Sequence, residues 1–169
     1  MGKQMKVYVA GGSHAFDRAI AACHMGNLRG AGVDVTLDWT VIMDVPDSEL
    51  SDDTLASRAS AARDAIVRAD VVWLIVPAYP SKGSWVEFGY ALGLGKLTLV
   101  SGDLRSCLFT SLASAAYRSP FDALASIIER ARCLAGDVRY TGPDRGRLEE
   151  RPATKAEEND KDEFPTGGM

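Results

Sequence analysis

Cysteine and histidine are scarce in this chain, and each shortage removes a class of chemistry. Three cysteines, Cys23, Cys107 and Cys133, lie far apart and are odd in number. No pair has redox-motif or metal-ligand spacing, so they are expected as buried free thiols of a reducing, cytoplasmic setting. Two histidines, His14 and His24, leave no His-rich ligand set, and no metal site is expected. Basic residues are outnumbered, 19 against 23 acidic ones, giving a net charge of −4. That balance lacks the basic field of a nucleic-acid binder. No apolar run approaches the roughly 18 residues of a membrane span. The stretch Met1 to Met5 leads into a strand with no secretory h-region or cleavage site. Gly2 fails the myristoylation pattern because position 6 is Lys6. Cofactor fingerprints are missing too. Gly11-Gly12 lacks the G-x-G-x-x-G spacing, and neither a G-x-x-x-x-G-K-[ST] loop nor a G-x-S-x-G elbow occurs, so no cofactor is implied. No internal repeat is visible.

What is present alternates between two periods. A hydrophobic content of 46% over 169 residues supports one core and one domain. Lys6 to Ala10 reads as a first strand ended by Gly11-Gly12. Ala15 to Arg29 carries Phe16, Ala19, Ile20 and Cys23 at helical spacing, with Leu28 less regular, and Gly30 and Gly32 bracket its end. Val33 to Trp39 alternates apolar and polar residues, which predicts a strand with two unlike faces. Thr40 to Ser51 reads as a loop. Ser51, Asp52 or Asp53 can cap a helix to about Ala69. Val71 to Val76 is uninterrupted apolar sequence, the kind buried on both faces of a parallel sheet. A helix around Glu87, a strand Leu97–Val100, a helical stretch from about Leu108 to Ala116 and an amphipathic helix Phe121–Leu134 complete the pattern. In the last, Leu124, Ile127, Ile128 and Ala131 share a side.

The β-α-β-α-β-α-β order predicts one doubly wound open α/β sheet of four to five parallel strands, helices on both faces, over residues 1–136. Residues 137–169 are dense in mixed charge and are expected as a disordered tail, with Val138-Arg139-Tyr140 a possible edge strand before it. In such a sheet the ligand lies outside the C-terminal strand ends. The loops there are Gly11 to Ser13, Asp38 to Thr40, Pro77 to Ser84 and Ser101 to Asp103. The third leads to Glu87, a carboxylate near a helix N-terminus with apolar neighbours. Two readings of it stand open. It is a poorly solvated nucleophile beside a loop whose Ser81, Gly83 and Ser84 hold an anion. Or it completes a capping box Ser84-x-x-Glu87, and the loop is an ordinary turn.

These residues also resemble a known family. Val7-Tyr8-Val9-Ala10-Gly11, Gly32 to Trp39, Ala69-Asp70-Val71-Val72, and the signature G-x-x-x-E-x-G-x-A-x-x-x-G-K from Gly83 to Lys96 are similar to the nucleoside 2-deoxyribosyltransferase-like superfamily of N-glycoside-cleaving enzymes. The resemblance covers roughly residues 5 to 134. It implies that Glu87 attacks the anomeric carbon, that Tyr8 orients Glu87, and that Asp64 assists the leaving base. Six residues before the glutamate stands Ser81, where enzymes of unphosphorylated nucleosides usually carry Asp. This places the chain nearest the branch that hydrolyses nucleoside 5′-monophosphates, with Ser81, Gly83 and Ser84 at the phosphate. A carboxylate there would repel a phosphate dianion, and a hydroxyl attracts it. Lys82 adds a point charge or is simply solvated.

The same resemblance implies a small-molecule nucleotide or nucleoside partner. It also implies a homodimer or larger homo-oligomer in which Ser111 reaches a neighbouring subunit's phosphate site. Gly11 and Gly12 would let a ligand approach the backbone, and Asp38 and Trp39 would read and stack the base. A core tryptophan and a loop-capping aspartate are the other reading of that last pair. Base exchange, or nucleotide binding without chemistry, are the alternative functions. The chain departs from the family once: the interval from Asp64 to Asp70 is two residues short. On a helix that is a rotation of about 200°, so Asp64 is equally read as a solvated helix residue.

Overall fold

The computed structural model describes residues 3–42 and 47–136. The expected tail, 137–169, and the strand proposed at Val138–Tyr140 lie outside the described residues. Five parallel strands, β1 (Lys6–Ala10), β2 (Asp34–Val35), β3 (Val71–Ile75), β4 (Leu97–Ser101) and β5 (Ala115–Tyr117), form one sheet in the order β2-β1-β3-β4-β5. Helices α1 (Ala15–Gly30) and α4 (Pro120–Ala135) cover one face. Helices α2 (Asp52–Arg68) and α3 (Gly83–Gly93) cover the other. The predicted doubly wound α/β class is therefore the observed one.

The buried centre follows from the strands. All five residues of β3 are buried, as its unbroken apolar run requires when helices pack on both sides. Side chains alternate between faces along β1, and Tyr8 points toward α3 while Trp73 of β3 points toward α1. Strands β1 and β3 are neighbours, yet the chain leaves β1 for β2 on one side and returns to β3 on the other. The loops beyond their C-terminal ends diverge there, which opens the crevice of a topological switch point.

Three elements differ from the expectation. The strand predicted over Val33–Trp39 keeps only Asp34 and Val35 in the sheet. Asp38 caps a 3₁₀ turn at Trp39–Val41, and the Trp39 indole N–H donates to the Val9 carbonyl at 2.7 Å, which draws the chain off the sheet edge. The helix predicted from Leu108 to Ala116 is a 3₁₀ turn, Leu108–Leu112, followed by β5. The Thr110 hydroxyl donates to the carbonyls of Leu104 and Cys107, and Ala115 to Tyr117 then complete the open edge of β4. An Ala-Ala-Tyr segment carries no strand pattern of its own, so the free edge decides its state.

In α1 the predicted apolar stripe is only partly the buried one: Leu28 is buried and Ile20 packs against the core. Phe16, Ala19 and Cys23 are exposed, and the buried stripe is Asp17, Ala21, His24, Met25 and Leu28. Two polar residues disguise it. His24 is buried edge-on against Trp73 and Phe121, where loss of solvent pushes its imidazole pKa down. Asp17 is buried because of what its carboxylate holds, described below.

Candidate active site

A cavity of about 930 Å³ opens at the switch point. Its floor is Tyr8 and Glu87; the loop from Pro80 to Ser84 forms one wall, and α2 the opposite wall. That volume accommodates a nucleotide-sized ligand.

Glu87 sits in the second turn of α3, whose first residue is Gly83. The Tyr8 hydroxyl donates to Glu87 Oε1 at 2.8 Å, and no side chain caps α3. Ser84 is inside the helix rather than at its cap, and its hydroxyl donates to Ser81 Oγ at 3.0 Å. The capping-box reading of Ser84 and Glu87 is thereby excluded. The first turn of α3, whose Gly83 and Ser84 line the cavity, has no side-chain cap, and its N–H groups carry the positive end of the helix dipole. The chain leaves β3 just before the loop from Pro80 to Ser84, so the order of strands places the uncapped helix end beside the carboxylate.

The environment of Glu87 is poorly solvated. Burial pushes its carboxyl up to about 7, against the opposing effect of the Tyr8 hydrogen bond, which favours the ionised form. Burial first, then the charge of Glu87 and the bond to it, push the Tyr8 phenol far above its usual range. The Tyr8 phenol is therefore the donor to the ionised carboxylate.

Among the described residues lining the cavity, Glu87 is the one carboxylate, and Arg58, Arg63 and Lys82 are basic, Arg63 being paired with Asp64 just outside the lining. Leu37, Trp39, Ile42, Leu55 and Ile66 supply apolar wall. Sequence reasoning singled out Trp39 but missed the α2 contribution. A helix face of Leu55, Arg58, Ala59, Ala62 and Ile66 at i, i+3, i+4, i+7 and i+11 was the available signal.

The remaining predicted residues divide. Tyr8, Gly11, Trp39, Ser81, Gly83, Ser84 and Glu87 line the cavity together. Gly11 lies against the Trp39 ring, which a Cβ would meet at 3.3 Å. Asp64, Gly12, Asp38 and Ser111 do not line it. Asp64 is on the exposed face of α2, and its carboxylate accepts from Arg63 at 2.9 Å. Asp38 accepts from Thr40 and pairs with Arg29 at 2.8 Å. Burial alone would raise its pKa, but the bonds from Thr40 and Arg29 hold it below the usual carboxylate range. It is a loop cap, as one of the two readings had it. The Ser111 hydroxyl is exposed and donates to the Leu108 carbonyl at 2.8 Å.

Among the described residues no group of three or more His, Cys, Asp or Glu is arranged to hold a metal ion. No helix of the described residues is long and apolar enough to cross a membrane. No protein-family model matches the sequence, and no curated protein matches it. Among solved structures the chain is similar to the CMP N-glycosidase BcmB of Clostridium botulinum. The identity is 16%, the match covers 72% of this chain and 96% of that one, and the TM-score is 0.45.

Proposed function

We propose that this protein is an N-glycosidase that cleaves the base–sugar bond of nucleoside or deoxynucleoside 5′-monophosphates, with Glu87 as nucleophile. The observation that carries the reading is the Tyr8–Glu87 hydrogen bond on the cavity floor, beside an uncapped helix N-terminus. Tyr8 occupies Oε1 and leaves the second carboxylate oxygen to attack the anomeric carbon. The C1′–N bond breaks as the C1′–O bond forms, and the bonding electrons leave with the base, which is protonated from solvent. Water then adds to C1′ and gives up one proton to solvent as the ester C–O bond breaks, and the sugar 5-phosphate departs with the Glu87 carboxylate regenerated. Ser81, Ser84 and the first-turn N–H groups of α3 hold the phosphate, and Trp39 with the apolar wall of α2 receives the base.

The uncapped N-terminus of α3 with Lys82 beside it supports an anionic substrate, and Ser81 supports a phosphorylated one. Asp64 has no part in this scheme from its exposed position. Ser111 reaches a phosphate only from a second copy of the chain, so a homo-oligomer belongs to the proposal. The crevice at the switch point between β1 and β3 is of the kind that takes a small-molecule partner.

The test is a panel of ribo- and deoxyribonucleosides and their 5′-monophosphates, with released base measured by chromatography. Release from monophosphates alone, lost in Glu87→Ala, is the expected result. Exchange into an added free base without net hydrolysis would make the protein a base-exchange transferase. Tight nucleotide binding with no turnover would make it a binding domain and overturn the enzymatic reading.

A further inference from the structure

The buried carboxylate on α1 lies outside the scheme above. Asp17 is only 6% exposed, and no cation is bonded to it among the described contacts. Its position, third in the helix, is where an acidic residue commonly reaches back to the backbone N–H of the cap. Here it reaches elsewhere. Asp17 Oδ1 accepts the Ala78 N–H at 2.9 Å, and Oδ2 accepts the Tyr79 N–H at 3.2 Å, across more than 60 residues of sequence. Both donors belong to the loop that carries Ser81. Two further contacts tighten the same junction. The His14 ring stacks on Tyr79 with centroids 3.6 Å apart, and Phe16 meets Tyr79 edge-on. Gly12 closes it from behind, because a Cβ there would lie 2.5 Å from Asp17 Oδ2. Gly12 is therefore required by Asp17 rather than by ligand approach, which corrects its expected role.

We infer that Asp17 is a positioning residue: it ties the loop after β3 to the loop after β1 and so sets where Ser81 stands in the cavity. A charged acceptor shared by two backbone N–H groups holds a loop more firmly than neutral bonds do. These two loops flank the switch point, and the loop from Val76 to Lys82 has no regular secondary structure to fix it. Without Asp17 the Ala78 and Tyr79 N–H groups lose their shared acceptor, and the loop is released from α1 to shift toward water. Glu87 is held separately, by α3 and Tyr8. Loss of Asp17 thus displaces the phosphate subsite and leaves the nucleophile in place. The inference rests on the proposed function only for the identity of the ligand that Ser81 contacts.

The test has two arms, run on Asp17→Ala, Asp17→Asn and Gly12→Ala in the full chain. The last keeps the carboxylate but forces it aside, and it serves if the first fails to fold. In amide hydrogen exchange read by mass spectrometry, Ala78 and Tyr79 should lose protection in Asp17→Ala and Gly12→Ala, with β1 and α3 unchanged. Unchanged protection at Ala78 and Tyr79 would overturn the inference. In the second arm, kinetics use whichever of the ribo- or deoxyribonucleoside 5′-monophosphates the wild type turns over fastest. KM should rise at least about tenfold with kcat within a few-fold, and Asp17→Asn should fall between. General destabilisation would lower kcat through the active fraction and spare KM, and that outcome would also overturn it. If the wild type turns over none of them, the proposed function fails. The exchange arm then still decides whether Asp17 holds the loop.

Discussion

Tyr8, at the middle of strand β1, and Glu87, in the second turn of α3, are 79 residues apart and share a 2.8 Å hydrogen bond. The phenol is fully buried and the carboxyl is half-buried at the cavity floor. A buried donor thus holds an acid whose solvation is poor and whose position is fixed from both sides of the sheet–helix junction.

Activity should depend on Glu87 being ionised. With its carboxyl near 7, base release should climb with pH through about 7 and then level off. Glu87→Gln should lower kcat by at least about a thousandfold. A rate unchanged from pH 5 to 9 would be incompatible with this assignment.

Stability should move in the opposite sense. The folded-state carboxyl is raised from 4.5 to about 7, so between those values the native chain holds a proton that the unfolded chain has lost. The favourable contribution is complete below about 4.5 and disappears as pH rises through about 7. Above that, burying the ionised group costs roughly 3 kcal/mol. Glu87→Gln should therefore be more stable than wild type at pH 8, by up to about that amount, and nearly equal at pH 5. Urea denaturation at both pH values measures it.

Tyr8→Phe removes the donor that favours the ionised acid. The rising limb of the pH–rate profile should shift to higher pH by up to about one unit, the equivalent of a single hydrogen bond. The maximal rate should fall as well. An unshifted limb would mean that the bond seen between the two residues does not govern the carboxyl.

Ser81→Asp places a negative charge where the phosphate is proposed to sit. At contact distance near a protein surface, like charges cost several kcal/mol, so kcat/KM for the monophosphate should drop at least about a hundredfold. Full activity in that variant would displace the phosphate from this loop.

Asp64→Asn should leave base release within about twofold of wild type, because the carboxylate is exposed and paired with its neighbour Arg63. Asp38→Ala should cost about 1 kcal/mol of stability through the 3₁₀ turn it caps, read as a lower midpoint of thermal unfolding.

How far the chain could be read without its structure depends on the range of the interactions. The strand β3, the helices α2 and α4 and the parallel order were legible from local period, since burial on one or two faces writes itself into spacing. The cluster of Tyr8, Ser81, Ser84 and Glu87 was legible from the strand-end loops and from the family resemblance. The local readings failed where a residue's partner was distant. Asp17 and His24 sit on the buried side of α1 only because the loop amides of Ala78 and Tyr79 and the ring of Trp73 are there to meet them. Ala115 to Tyr117 become a strand only because β4 offers an edge.

The opposite outcomes at two acids carry the same lesson. Spacing alone left Glu87 balanced between helix cap and nucleophile, and left Asp64 balanced between catalytic acid and solvated surface. Sequence determined that both would lie on helices next to strand ends, because period and propensity are local. The three-dimensional packing decided which one faces the cavity. Helix phase relative to the sheet is set by all the side chains packed beneath it, and a hydrogen bond from Tyr8 can form only once β1 and α3 are placed side by side.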